Sequence, residues 1–327
     1  MNVLIADPFE TSGIEGLRAL GCVVTHEPTV GAERLPDALA AAGPQVLIVR
    51  STKVQKPAFA AAKGLRLIIR AGAGVDNIDL PAATAAKVAV CNCPGMNAVA
   101  VAELAFAHLL ALDRRIVEQT NDLRAGAWNK KEYAKARGLK GQTLGLVGLG
   151  AIGRAMASRA LAFEMRVLGW SRSLTPAAAA AQGLGFGGND RASLLAMLAS
   201  CDAVSLHVAA TPETKNLCDA AFFGAMRPGA AFINTSRGSV VDEKALARAV
   251  EDRGIRAGLD VYADQPAQPQ GAFATPMASL PGATLTHHVG ASTNQAQQAV
   301  ADETVRLVRV FKESGRFENC VNAGELR

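Results

Sequence analysis

Short apolar runs alternate with helical stretches along the chain. Residues 3–6, 46–49, 65–69 and 88–90 are apolar, rich in Val and Ile and bounded by turn-forming residues, so they read as strands. Residues 11–20, 57–63 and 80–86 lie between them with helical spacing. A second alternation predicts strands at 143–147, 166–170, 203–206, 231–234, 258–260 and 283–286. Helices are expected at 152–163, 193–198, 220–226 and 243–251, with a last one over 293–313. Strands separated by helices predict parallel β–α–β units, because parallel neighbours need a crossover. Between the halves, residues 98–112 are apolar on almost every face. Such a helix is buried inside a domain or against a second subunit.

Composition narrows the class. The chain has 327 residues, of which 50% are apolar and 19% charged, enough for sizeable cores and too apolar for disorder. Its 34 basic and 29 acidic residues leave a net charge of +5, and no basic run exceeds the pair Lys130-Lys131. Nucleic acid is therefore not an expected partner. No apolar stretch reaches the ~20 residues of a membrane span. The start, Asn2 to Asp7, has no basic segment before its apolar run, so a secretory leader is not expected and a cytoplasmic location is. Six scattered cysteines suit a reduced compartment. Cys91-x-Cys93 has no second pair at zinc spacing, so no metal is expected.

Gly148-Leu-Gly150-Ala151-Ile152-Gly153 follows one expected strand and opens a helix. In that context the glycines form a dinucleotide-binding turn: the first bends, the second admits a pyrophosphate, and the third allows close packing. Free N–H groups at a helix N-terminus favour the anion. The next strand ends Trp170-Ser171-Arg172, with no acid to hold the ribose 2′-hydroxyl of NAD. Ser171 and Arg172 can bond a 2′-phosphate, which favours NADP(H) within a general NAD(P) expectation. The glycine-rich run 183–188 lacks strand-to-helix context and reads as a loop or short strand.

Further chemistry collects after the later strands. Asn234-Thr235-Ser236-Arg237 follows one strand, and Arg237 can grip a carboxylate bidentately. Asp260 and Gln265 follow another, and His287-His288-Val-Gly290-Ala291 follows a third. A His there can move a proton near neutral pH.

These motifs, with Arg70 to Asp79, Asn97 and Val101-Ala-Glu-Leu104, resemble the D-isomer-specific 2-hydroxyacid dehydrogenase family over nearly the whole chain. The resemblance implies an α/β fold of two Rossmann-like, doubly wound parallel-sheet domains. The dinucleotide-binding domain, 98–290, is inserted into a discontinuous substrate domain, 1–97 and 291–327. It also implies a homodimer with residues 98–112 in the interface. By that resemblance Arg237 binds the substrate carboxylate and His288 exchanges the proton of the C2 oxygen. The resemblance favours His288 over His287. The cofactor set is Gly148, Gly150, Ala151, Ile152, Gly153, Ser171, Arg172, Val208, Thr235, Ser236, Asp260, Gly290 and Ala291, with Asp260 at the nicotinamide amide. Arg50, Arg70, Ala73, Gly74 and Asn97 are the implied substrate residues. Most relatives carry Glu where this chain has Gln265, the third catalytic candidate. An amide brings no charge, so His288 is expected to be less basic, to suit oxidation as a neutral base, and to lose reduction at lower pH.

The implied substrate is a small 2-hydroxy or 2-keto acid. The segments around Arg50, Arg70, Asn97 and residues 128–131 are most similar to the phosphoglycerate dehydrogenase branch, which implies 3-phosphoglycerate. Ser171-Arg172 keeps an NADPH-linked glyoxylate or hydroxypyruvate reductase open. Gln265 keeps open a formate dehydrogenase-like enzyme and a dinucleotide-sensing corepressor-like protein.

Overall fold

The structure is a computed structural model that describes residues 1–266 and 270–326, so Arg327, the last residue of the expected substrate domain, lies outside it. The chain forms two units, Met1–Asn97 with Ser292–Arg327 and Ala98–Ala291. Ala291, expected in the first, belongs to the second.

The first unit carries a five-stranded sheet of β1 (Asn2–Ile5), β2 (Val23–His26), β3 (Val46–Val49), β4 (Leu67–Arg70) and β5 (Ala89–Asn92), in the order β2-β1-β3-β4-β5. Every pairing is parallel. Parallel strands need cover on both faces. Ile14 and Leu17 with Leu307, Val308 and Phe311 of the Asn294–Ser314 helix pack on one face. Leu35, Leu39, Ala58 and Ala83 pack on the other. The edge strand β2 and the Gly31–Ala42 helix were not read from the sequence. β2 has no fully buried residue, and Pro36 lies inside that helix, so both lack a clear apolar signature.

The second unit carries seven parallel strands: β6 (Thr143–Val147), β7 (Arg166–Trp170), β8 (Gly185–Phe186), β9 (Ala203–Leu206), β10 (Ala231–Asn234), β11 (Arg256–Leu259) and β12 (Thr284–Leu285). Their order is β12-β11-β10-β9-β6-β7-β8. The Ala98–Arg114 helix buries Ala102, Phe106 and Leu109 against one face of this sheet, beside Met156 and Ala160. Leu194, Phe222, Phe223 and Leu246 cover the other. Its all-round apolarity is thus largely spent inside its own unit. The run 183–188 supplies the two-residue β8.

In each sheet the order reverses at one place, between β1 and β3 and between β6 and β9. Loops leaving adjacent strands there diverge and open a crevice at the carboxyl edge. Among the described residues no helix is long and apolar enough to cross a membrane, and no His, Cys, Asp and Glu group could hold a metal. The six cysteines are thiols, and all but Cys320 are buried.

Candidate active site

The glycine turn sits at the second unit's switch point. Gly148 has φ +101°, and a Cβ there would lie 2.4 Å from the His207 carbonyl oxygen at the end of β9. A Cβ on Gly153 would lie 2.1 Å from the Gly148 carbonyl oxygen, so the Ala151–Ala162 helix starts directly against the turn. Gly150, its N-cap, has nothing within 4 Å of its Cβ position, which leaves the helix N-terminus open to an anion. Ala151 and Ile152 form the first turn, and Val208 borders Gly148. Arg154, absent from the sequence reading, folds back to donate to the Leu149 carbonyl at 2.8 Å and adds positive charge. Its position one residue past the third glycine was the available signal.

Ser171 and Arg172 leave β7, with Arg172 exposed. The Glu213 carboxyl is held below its usual range by the Thr211 hydroxyl and, more weakly, by the Arg172 guanidinium, so the arginine lies within electrostatic reach of the 211–214 turn.

Arg237 is shaped by a buried asparagine. Asn234 Oδ1 accepts from the Ser236 amide at 3.0 Å and the Ser236 hydroxyl at 2.8 Å, while its Nδ2 donates to the Arg237 carbonyl at 3.0 Å. This side chain closes the 234–237 turn on itself. Gly238 then passes so close to the next loop that a Cβ would lie 2.1–2.4 Å from Tyr262 and Ala263 backbone atoms. The Arg237 turn and the loop leading to Gln265 are thereby packed backbone to backbone.

Gln265 joins His288. The Tyr262 N–H donates to Gln265 Oε1 at 3.1 Å, and Gln265 Nε2 lies 2.5 Å from His288 Nδ1. The first bond orients the amide: the flipped amide would set its NH2 against a backbone N–H. Gln265 therefore donates to Nδ1, and the neutral ring carries its proton on Nε2. An imidazolium would put two donors face to face. In this tautomer Nε2 offers a proton; a neutral base would need the tautomer protonated on Nδ1.

His288 has φ +54°, a conformation that costs a bulky residue roughly 1–3 kcal/mol. Asp260, fully buried, holds it there. Its carboxylate accepts from the Thr286 hydroxyl at 2.6 Å and from the Val289 and Gly290 amides, both at 2.9 Å. Hydrogen bonds to a carboxylate contribute about 1.5–3 kcal/mol each, which outweighs the strain. Asp260, expected at the nicotinamide amide, also anchors residues 286–290 through these three bonds. Gly290 approaches it so closely that a Cβ would sit 3.1 Å from Oδ2, and half-buried Ala291 follows.

The first unit builds its own arrangement. Asp7, at the end of β1, accepts the amides of Arg50, Ser51 and Thr52 at 2.6, 3.1 and 3.1 Å and so shapes the turn after β3. Arg50 then donates to Gln297 at 2.8 Å. Arg70 folds over its own loop, where a Cβ on Gly72 would meet its guanidinium. The carbonyls of Gly72 and Ala73 accept from the Cys93 amide at 3.0 Å and Asn92 Nδ2 at 2.6 Å, which fixes the Ala73-Gly74 loop from its carbonyl side. Asn97 Oδ1 is buried with no hydrogen-bond partner.

Two further groups bear on a dinucleotide. Thr235 Oγ1 and both His207 ring nitrogens are buried without partners. Burial alone pulls the His207 imidazole down to about 4. Unsatisfied buried polar atoms are uncommon and ask for an additional partner. With the open helix N-terminus at Gly150, these residues fit a nicotinamide dinucleotide.

Comparison with known proteins agrees. Residues 106–290 match the family model for the D-isomer specific 2-hydroxyacid dehydrogenase NAD binding domain. A D-3-phosphoglycerate dehydrogenase of Mycobacterium leprae is 38% identical over 98% of this chain, and the chain spans 58% of that relative's length. A hydroxypyruvate reductase of Thermotoga maritima is 38% identical over 83% of this chain and 85% of its own. A crystal structure of a Thermus thermophilus protein superposes with a TM-score of 0.84 at 33% identity, covering 98% of this chain and 100% of that one. A glycine turn, a carboxylate-binding type of arginine and an oriented histidine at one sheet edge thus accompany matches along the chain's length, and the chain belongs to the D-isomer specific 2-hydroxyacid dehydrogenase family.

Proposed function

We propose that this protein is an NAD(P)-dependent oxidoreductase interconverting a 2-hydroxy acid and its 2-keto acid, with 3-phosphoglycerate and phosphohydroxypyruvate as the pair. The observation that carries the reading is the Gln265–His288 pair, anchored beyond β11 and β12 on the carboxyl edge that also bears Arg237 and the glycine turn. A nicotinamide dinucleotide, held by the turn 148–153, Ser171, Arg172, Val208, Thr235, Ser236, Asp260, Gly290 and Ala291, would supply the hydride acceptor or donor. Arg237 grips the substrate carboxylate through its planar fork and sets the C2 oxygen for His288. In reduction the His288 imidazolium would give its Nε2 proton to that oxygen and return to the neutral ring protonated on Nδ1. In oxidation that neutral ring would take the hydroxyl proton on Nε2, with the Gln265 amide turned so that its oxygen accepts from Nδ1–H.

Arg50, Arg70, Ala73, Gly74 and Asn97 are the proposed substrate residues. The names of the phosphoglycerate dehydrogenase relatives support the phosphorylated substrate. The absence of an acid at the end of β7 supports NADP(H) and a second reading, an NADPH-linked glyoxylate or hydroxypyruvate reductase. A homodimer is supported by the Ile116–Arg124 helix, which buries none of its residues and exposes Ile116, Val117 and Leu123, and by the exposed Trp128 that follows it in the chain.

The test follows reduced-nicotinamide absorbance with both cofactors and phosphohydroxypyruvate, hydroxypyruvate and glyoxylate. Turnover of the phosphorylated acid, lost on the order of 10²-fold or more in Arg237→Ala and His288→Ala, supports the reading. Turnover of glyoxylate alone moves the assignment to the reductase. Dinucleotide binding with no turnover overturns it in favour of sensing.

A further inference from the structure

A buried histidine on the Ala98–Arg114 helix lies at the start of a hydrogen-bond chain that ends on the His288 loop. His108 is 4% exposed. Its Nδ1 lies 2.8 Å from Thr284 Oγ1 and its Nε2 3.1 Å from Thr286 Oγ1. Thr286 in turn meets Asp260 at 2.6 Å, and Asp260 receives the Val289 and Gly290 amides. β11 is shaped for this ring: a Cβ on Gly258 would lie 2.8 Å from His108 Cβ.

The protons along the chain are determined. A carboxylate oxygen only accepts, so Thr286 spends its hydroxyl proton on Asp260. Its lone pair must then face a donor, and His108 Nε2 carries that proton. In the neutral ring Nδ1 accepts from the Thr284 hydroxyl. Burial holds the imidazole below its usual range against the opposing pull of Asp260, which agrees with the neutral tautomer.

We propose that His108 is a positioning residue for the reaction, acting on His288 through Thr286 and Asp260. The Nε2–H of His108 locks the Thr286 hydroxyl toward Asp260. That leaves the carboxylate aligned to hold the amides just after His288, whose left-handed backbone needs holding on both sides. Remove the donor, and Thr286 can turn its proton away, freeing one end of the loop. The proposal rests on the reading of His288 as the proton-handling group, and its test separates the two.

The variants are His108→Leu, which removes the donor, His108→Gln, which keeps a donor near Nε2, and Thr286→Val, which breaks the next link. With the preferred keto acid, His108→Leu and Thr286→Val are expected to lower kcat on the order of 10- to 100-fold, because small misplacements of a catalytic group cost that much. KM for cofactor and substrate should stay within about twofold, His108→Gln should recover most of kcat, and the double variant should lose no more than either single. Nitrogen-15 spectra of the imidazoles read the same link without turnover: the His288 signals should move in His108→Leu and Thr286→Val and return in His108→Gln. Unchanged His288 signals and unchanged kcat in His108→Leu overturn the proposal, as does an effect that Thr286→Val fails to share. If His288→Ala remains active, the functional reading falls and the spectra alone decide the link.

Discussion

Gln265 donates to Nδ1 of His288 because the Tyr262 amide holds its carbonyl oxygen. One backbone N–H therefore selects the side-chain orientation, and the side chain selects the tautomer. Glu at this position would accept from both neighbours and would stabilise imidazolium. Gln265→Glu should raise the pH at which His288 titrates, because a carboxylate favours the charged ring. The imidazole signals and the pH dependence of kcat/KM both read it; a titration that stays put or falls contradicts the arrangement.

Gly238 has no room for a side chain. Its would-be Cβ contacts are backbone atoms of Tyr262 and Ala263 at 2.1–2.4 Å, which cannot rotate away. Gly238→Ala should cost roughly 1–3 kcal/mol in urea unfolding and should also displace Arg237, lowering kcat/KM beyond what the stability loss explains. Wild-type stability and activity in this variant would show the packing to be looser than described.

The glycines of the turn should separate folding from binding. Gly150 has open space at its Cβ and a φ of −68°, so Gly150→Ala should change stability by less than about 1 kcal/mol while weakening dinucleotide binding about tenfold or more. Gly153→Ala, 2.1 Å from the Gly148 carbonyl oxygen, should destabilise by roughly 1–3 kcal/mol before any cofactor is added. Fluorescence titration and unfolding curves give the two quantities independently.

His207 predicts an acid sensitivity. Its folded-state value of about 4 lies below the ordinary 6.5, so the unfolded chain binds the proton more readily. The group costs no stability above pH 6.5. As pH falls through that value stability drops, and the loss saturates below about 4. Between pH 7 and pH 5 the wild type should lose on the order of 2 kcal/mol more than His207→Asn. Parallel losses in the two proteins would remove His207 as the source.

Much of this architecture is local and was legible in the amino-acid order. The apolar runs 46–49 and 143–147 are strands because they are buried on both faces, and their separation by helical segments forces parallel pairing. The glycine turn was readable because bending and close approach are properties of a few consecutive residues. Arg237 and His288 were readable as types of chemistry at strand ends. Their settings were not. Tyr262 orienting Gln265, Asn234 closing the Arg237 turn, and His108 reaching Thr286 from 178 positions away depend on hydrogen-bond directions between segments distant in the chain. That Asp260 anchors the His288 loop was hidden for the same reason: an acid's partners are the donors that folding brings to it. Spacing along a chain reveals which groups are available; only packing decides which proton each one holds.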